Sequence, residues 1–375
     1  MAWATEGVQE EVMLTETTAA PSLSLSGWVS QYLVAAAGRS CEGSEQSFVA
    51  ELTLIAGDAS PRKYYRVTQG SEAASPTLIA VESPPTEKNH EFLAIRQLLA
   101  DGGVRVPALL AADPDRGYLL LEDLGDALLL SELTDHSVDG WYASAFTSLL
   151  SVVAIDPLPE SLQLYDETRL RQEMDLFMDW FVPRLLDQPV TGELREAFDN
   201  LASRLIENAQ EQPQVLVHRD FHSRNLMVLP DGKLGVIDFQ DAVVGPVTYD
   251  PVSLLKDCYI QWPRTRQLGW LSDYRRQLEA CQNNFSVPEE VFVRWFDLMG
   301  LQRHIKVLGI FARLAFRDGK PDYLLDLPRV IAYVRETLDL YKDTEPAVAA
   351  FQAVFEAHIM PICRGASWFT GGEDS

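Results

Sequence analysis

Apolar and polar positions alternate in short runs over the first third of the chain. Beyond it, apolar residues recur every three to four positions, a change from strand period to helix period. "SGWVSQYLVAAAG" opens with Ser26, a good N-cap, and stops at Gly38, which predicts a helix. "AELTLIAG", the stretch from Tyr64 to Thr68, and "PTLIAVESP" predict three strands, the last ended by Pro84 and Pro85. "KNHEFLAIRQLLADGG" places Phe92, Ile95, Leu98 and Leu99 at helical spacing. "RGYLLLEDLGD" is an apolar strand that runs into a polar turn.

After Asp123 the pattern becomes helical. "DGWYASAFTSLLSVVAI", "ELREAFDNLASRLIENAQ" and most of Asp257 to His358 read as helices. One island of short strands interrupts them: "QVLVH", "NLMVL" and "KLGVIDF", with an Asp231-Gly232 hairpin signal before the last. The pattern predicts an α+β fold. Residues 1–25 read as a disordered tail, 26–122 as a small strand-rich N-terminal lobe and 123–375 as a larger, mostly helical C-terminal lobe. The hinge falls near Glu122 to Gly125.

Composition changes this picture only at the margins. At 375 residues, 47% apolar and 23% charged, the chain is an ordinary globular protein. Its net charge of -24 argues against nonspecific binding to nucleic acid or anionic lipid. Its four cysteines form no CxxC pair, so no zinc site or disulfide framework is readable and a reducing cytoplasm is expected. The N-terminal stretch lacks the basic and apolar regions of a signal peptide. No run of about 18 apolar residues predicts a membrane span. A monomer acting on a small molecule, with no nucleic-acid or membrane partner, is expected.

The chemistry concentrates in "VLVHRDFHSRNLMVLPDGKLGVIDFQD", Val215 to Asp241. Charge placed between buried strands is costly unless it is paired or bound to a metal. A structural salt-bridge network is one answer, catalysis the other. Asp220 follows an apolar strand, Asn225 lies five residues on in the same loop, and Asp238 ends the second hairpin strand. A carboxylate and an amide oxygen suit Mg²⁺, which takes oxygen ligands together with substrate phosphates. A second carboxylate can orient and deprotonate a hydroxyl. Together these are the parts of phosphoryl transfer.

His218-Arg219-Asp220 with Asn225, followed by Asp238-Phe239-Gln240, resembles the catalytic loop and metal-binding motif of protein kinases. The fuller run through "GPVTYDPVSLL" resembles the aminoglycoside phosphotransferase family of small-molecule kinases. "LTLIAGDASPRKYYRV", "LLLEDLGD", "GPVTYDPVSLLKDCYIQWPR" and "LMGLQRHIKVLGIFARL" resemble the bacterial anomeric N-acetylmuramate/N-acetylglucosamine kinases, from about Leu25 to the C-terminus. The resemblance implies a bilobal protein-kinase-like fold, ATP and Mg²⁺ as cofactors, and an amino sugar phosphorylated at its anomeric hydroxyl in peptidoglycan recycling. It implies Asp220 as catalytic base, His222 facing the transferring phosphoryl group, and Asn225 and Asp238 as metal ligands. It also implies Glu122 and Leu124 in an adenine-contacting hinge, Gly57 and Ser60 in a phosphate-covering loop, and Asp250 as a structural aspartate.

One departure stands out. Kinases carry a phosphate-binding lysine on the third strand, where this chain has Val81. Arg62, Lys63 or Arg66 of the preceding hairpin would hold the phosphates instead, or metal and backbone alone would. On "LQRHIKVLGIFARL", Arg303, Lys306, Ile310 and Arg313 fall near one helical stripe. This is either a solvated basic face or a sugar site in which Arg303 binds the lactyl carboxylate of N-acetylmuramate. Trp262 is either a sugar-stacking ring or core. A kinase of another alcohol, such as an aminoglycoside or choline, and a nucleotide-binding scaffold without turnover are the competing readings.

Overall fold

The computed structural model describes residues 23–36, 50–56, 61–68, 77–84, 86–282 and 285–369. Residues 1–22 of the expected tail, and Gly57 and Ser60 of the expected phosphate loop, lie outside them. The chain divides into two compact units. The first runs through Ala100 and adds Arg105–Asp126 and Leu229–Gln240; the second comprises Asp101–Val104, Ala127–Val228 and everything from Asp241 onward. The boundary expected at Glu122/Asp123 is thus a discontinuous one. Residues 229–240 join the first unit because Val236 N–H donates to the Arg105 carbonyl (2.7 Å) and Leu124 packs on Gly235.

In the first unit the elements are α1 (Leu25–Ala36), β1 (Glu51–Ala56), β2 (Lys63–Thr68), β3 (Leu78–Glu82), α2 (Asn89–Asp101), β4 (Leu109–Asp113) and β5 (Tyr118–Glu122). The strands form one antiparallel sheet in the order β1-β2-β3-β5-β4. β4 is not foreseen by the sequence: "LLAAD" is too short and uniformly apolar for its period to separate strand from helix. Alternation puts Val67, Leu78, Ala80 and Leu120 on the face that packs against Trp28, Val29 and Leu33 of α1. β3 is buried almost throughout, and Val81 has no exposed surface. The Asp231-Gly232 turn forms as expected. Gly232 has φ +78°, and Leu229 N–H donates to the Lys233 carbonyl at 2.9 Å.

The second unit is mostly helical: α3 (Leu129–Glu132), α4 (Val138–Val153), α5 (Glu167–Leu176), α6 (Gly192–Gln210), α7 (Tyr249–Leu255), α8 (Arg264–Cys281), α9 (Glu289–Arg317) and α10 (Leu327–Tyr341). Asp166 and Thr191 cap α5 and α6 by accepting the N–H groups of Arg169 and Leu194. A π-helical stretch, Phe177–Leu185, continues α5 and holds Pro183. Two short strands, Gln214–Val217 and Val243–Pro246, pair antiparallel. α9 is buried on nearly every face from Phe292 to Ala312, as expected of a helix at the centre of a bundle. It lies very close to α5, since a Cβ added to Gly309 would sit 2.3 Å from the Leu176 carbonyl carbon. The C-terminal stretch Pro346–Gly365 is long and apolar enough to cross a membrane, with mean hydropathy 1.3. Yet Phe351 packs on Phe177 and Phe198, so part of that apolar surface serves the core.

Candidate active site

The strand Gln214–Val217 delivers the chain to His218, where it turns out of the sheet. The Asp250 carboxylate, on α7, accepts the backbone N–H groups of His218 (2.7 Å) and Arg219 (2.9 Å). Burial pushes the Asp250 carboxyl up to about 6, although His218 and the two N–H groups oppose the rise. Arg219 takes φ +75°, a backbone that a bulky residue keeps only when its surroundings hold it there. The Asp250 clamp does so. The structural role expected for Asp250 is the one it has.

The loop is then closed from within. Asn225 donates its backbone N–H to the His222 carbonyl and its side-chain Nδ2 to the Asp220 carbonyl, both at 2.9 Å. Ser223 donates backbone N–H and hydroxyl to Asp257 (2.9 and 2.5 Å). His222 sets its ring edge-on to Tyr259, and Arg224 stacks on that same tyrosine at 3.6 Å. Asp241 offers its backbone carbonyl to Arg219.

Asp220, His222, Arg303 and Lys306 are brought together at one cavity of about 360 Å³, lined wholly by the second unit. Asp220 faces it with 38% of its side chain exposed. The Arg303 guanidinium approaches Asp220 at 3.8 Å and lies over the Tyr249 ring. Lys306 contacts Glu173 (3.1 Å) and the Tyr249 hydroxyl (3.1 Å), and Glu173 also binds Arg219 and the Tyr165 hydroxyl. Burial alone would raise the Asp220 carboxyl. Lys306, Arg303, His222 and Arg219 outweigh it and hold Asp220 well below the usual carboxylate range. The cavity wall carries four cations against three carboxylates, although the chain as a whole is strongly acidic. The stripe on α9 is therefore no solvated face, since Arg303 and Lys306 are buried. Trp262 belongs to the core: it donates to the Tyr142 hydroxyl and meets Trp270 edge-on.

The first unit holds the remaining expected residues. Arg62 is buried, 3.5 Å from Glu87 and over the Phe92 ring. Arg66 is held by Asp123 (2.6 Å) and Asp126 (2.8 Å), so its guanidinium is already committed to carboxylates. The Glu122 carboxylate binds Arg105 and the Ala108 N–H, and Leu124 is buried against Gly235. Asp238 has φ +63° and accepts from Gln240 Nε2 at 2.6 Å. Tyr64 lies near it. Burial first, then Asp238, pushes the Tyr64 hydroxyl up to about 12.

Glu173, Tyr165 and Tyr249 are missed by sequence reasoning. One signal was present for Glu173. In "RLRQEMDLF" it stands next to Met174 and three residues after Leu170, both fully buried, so a carboxylate there borders the buried stripe of α5.

Residues 51–290 match the phosphotransferase enzyme family. The chain is similar to the N-acetylmuramate/N-acetylglucosamine kinase of Pseudomonas putida, with 43% identity over 288 residues, 76% of this chain and 83% of that one. The enzyme of the same name from Neisseria meningitidis serogroup B is 37% identical over 310 residues, 80% of this chain and 89% of that one. Among solved structures it is similar to a choline kinase from Cryptosporidium parvum (TM-score 0.57, 12% identity, 81% and 92% covered). It is also similar to an ADP-bound aminoglycoside phosphotransferase (TM-score 0.52, 17% identity, 76% and 94% covered). At these identities the likeness is one of fold, and it fits the strand-rich first unit and helical second unit seen here. The chain therefore belongs to the phosphotransferase enzyme family and is an enzyme that transfers a phosphoryl group to an alcohol.

Proposed function

We propose that the protein is an ATP-dependent kinase that phosphorylates the anomeric hydroxyl of N-acetylmuramate and N-acetylglucosamine, giving sugar 1-phosphates in peptidoglycan recycling in the cytoplasm. It would act as a monomer. The observation that carries the reading is the cationic cavity at Asp220, in a chain 43% identical to a kinase named for these two sugars. An aminoglycoside is a polycation and would find four cationic side chains in that cavity wall.

In this reading Asp220 accepts the proton of the sugar hydroxyl and orients its oxygen toward the phosphorus. Its low basicity suits a loose transition state, in which positioning counts for more than proton abstraction. His222 hydrogen-bonds the phosphoryl group in transfer. In the first unit Arg62, paired with Glu87, takes the place of the absent strand lysine and its glutamate. Gly57 and Ser60 would cover the phosphates, and the backbone from Glu122 to Leu124 would meet adenine. Arg66 would act indirectly, by fixing Asp123.

The donor types, an amide oxygen and a carboxylate oxygen, suit Mg²⁺. No cluster of three His, Cys, Asp or Glu ligands exists among the described residues. Mg²⁺ takes few protein ligands and completes its shell with phosphate and water oxygens. The Asn225 amide is fixed by its Nδ2 bond to Asp220, which leaves Oδ1 as its oxygen donor, and Asp238 would supply a carboxylate. The ion would neutralise charge on the phosphates.

The test is ADP release with ATP and Mg²⁺ over N-acetylmuramate, N-acetylglucosamine, glucose, choline and kanamycin, with ³¹P NMR of the product. An anomeric phosphate on the two amino sugars is expected. Turnover only on choline or kanamycin would overturn the substrate.

A further inference from the structure

The cations that line the cavity are not equivalent. Arg219 and Lys306 share the Glu173 carboxylate. Arg303 faces Asp220 and covers the Tyr249 ring. Arg313 lines the same cavity, yet among the described residues it makes no ion pair and no hydrogen bond, and its Nε is buried without a partner. Burial and the like charge of Arg317 work against its protonated form, and the charges of Asp318 and Glu173 offset them only in part. The nearby Asp318 is already engaged by Arg317 at 2.8 Å. A half-buried guanidinium left in this condition is unfavourable unless an anion completes it.

We infer that Arg313 is the specificity residue for the acid-bearing sugar, and that it binds the 3-O-lactyl carboxylate of N-acetylmuramate in bidentate fashion. The inference rests on the proposed substrates and reassigns the carboxylate clamp expected at Arg303. Arg303 Nε is also buried without a partner, but its guanidinium stands 3.8 Å from Asp220, at the end of the cavity where the anomeric hydroxyl must sit, and so is too far from the lactyl group. Arg313 is ten residues further along α9, about 15 Å at 1.5 Å per residue. A long side chain reaching back from that end meets the far edge of a sugar whose C1 hydroxyl points at Asp220. The planar, two-pronged guanidinium matches a carboxylate. Ile310 and Leu314, which also line the cavity, exclude water around the pair. N-acetylglucosamine has no lactyl group, so it passes through the same site without using Arg313.

The test is steady-state kinetics of Arg313→Gln and Arg313→Lys on both sugars, with Arg276→Gln as an exposed control outside the cavity wall. Loss of a charge-assisted bidentate contact predicts that Arg313→Gln lowers kcat/KM for N-acetylmuramate by about 10- to 100-fold. The loss should appear in KM, with kcat and the N-acetylglucosamine constants near those of the parent. Arg313→Lys should recover part of it, and Arg276→Gln should change neither sugar. Equal loss on both sugars, or a raised KM for ATP with the sugar KM unchanged, would overturn the inference. A parent enzyme without turnover on either amino sugar would overturn the proposed function instead. Parental activity of Arg313→Gln on both sugars would leave that function standing and remove Arg313 from specificity.

Discussion

Glu173→Gln tests whether the charge cluster behind Asp220 is a stabilising network or merely a crowded one. The Glu173 side chain is 13% exposed and faces Arg219 and Lys306, whose side chains are 14% and 6% exposed. Removing one partner of a buried pair leaves the other charge desolvated, at a cost of about 3–5 kcal/mol. Glutamine keeps the shape and one oxygen acceptor, so the lower end, about 3 kcal/mol, is expected. The sign of the pH dependence follows from the carboxyl. Burial would raise it, but Lys306 and Arg219 bring it below its ordinary value. A carboxyl lowered in the folded state stabilises above its unfolded pKa and loses that contribution as pH falls through the folded one. The parent and the variant should therefore differ most at neutral pH and converge below about pH 4. The assay is guanidinium unfolding followed by tryptophan fluorescence, at pH 7 and at acid pH. Adding Lys306→Met to Glu173→Gln should recover more than half of the loss, because it removes one stranded cation. A neutral-pH gap below about 1 kcal/mol, the range of an exposed pair, would refute the reasoning. So would a double variant no more stable than the single one.

Three further outcomes are expected. Asp220→Asn should lower kcat by about 10²- to 10⁴-fold with ATP affinity retained, and stopped-flow kinetics alongside nucleotide titration would check it. Gly309→Ala puts a methyl 2.3 Å from the Leu176 carbonyl carbon, so α9 must move; a cost at the top of the usual 1–3 kcal/mol for overpacking, or about 3 kcal/mol, should appear in thermal unfolding. Asp250→Asn offers one oxygen where two N–H groups need acceptors, and should lower kcat by loosening the loop. The Asp250 carboxyl is raised to about 6 when folded, so its favourable contribution is complete at acid pH and is lost as pH rises through 6. The stability gap of Asp250→Asn against the parent, read from unfolding curves between pH 4.5 and 7.5, should therefore narrow toward neutral pH.

What was readable in the sequence follows how locally each feature is encoded. Asp220 and Asn225 lie five residues apart in one loop, and their types and spacing suggest the proposed chemistry without any tertiary knowledge. The helices of the second unit show because apolar residues repeat over many turns. Spacing could not decide whether Arg303 and Lys306 face solvent or a cavity. What buries them comes from α5 and α7, through Glu173 and Tyr249, more than 50 residues away. Spacing leaves Arg66 ambiguous for the same reason. Its partners Asp123 and Asp126 lie across the sheet, and a basic residue on a strand looks alike whether it awaits a phosphate or already holds a carboxylate. β4 and the strand Val243–Pro246 were too short to reveal a period.

The absence of a side chain at Gly309 bears on how far this scaffold can be retuned. Backbone meets backbone where α9 crosses Leu176, so the two walls bearing Glu173 and Lys306 can be spread at the crossing only at the stability cost expected of Gly309→Ala. Adapting the pocket to bulkier acceptors without that cost means working elsewhere in the cavity wall, at Ile310, Leu314 and Tyr323. The chemistry proposed for Asp220 is thereby insulated from substitutions at the far end of the cavity.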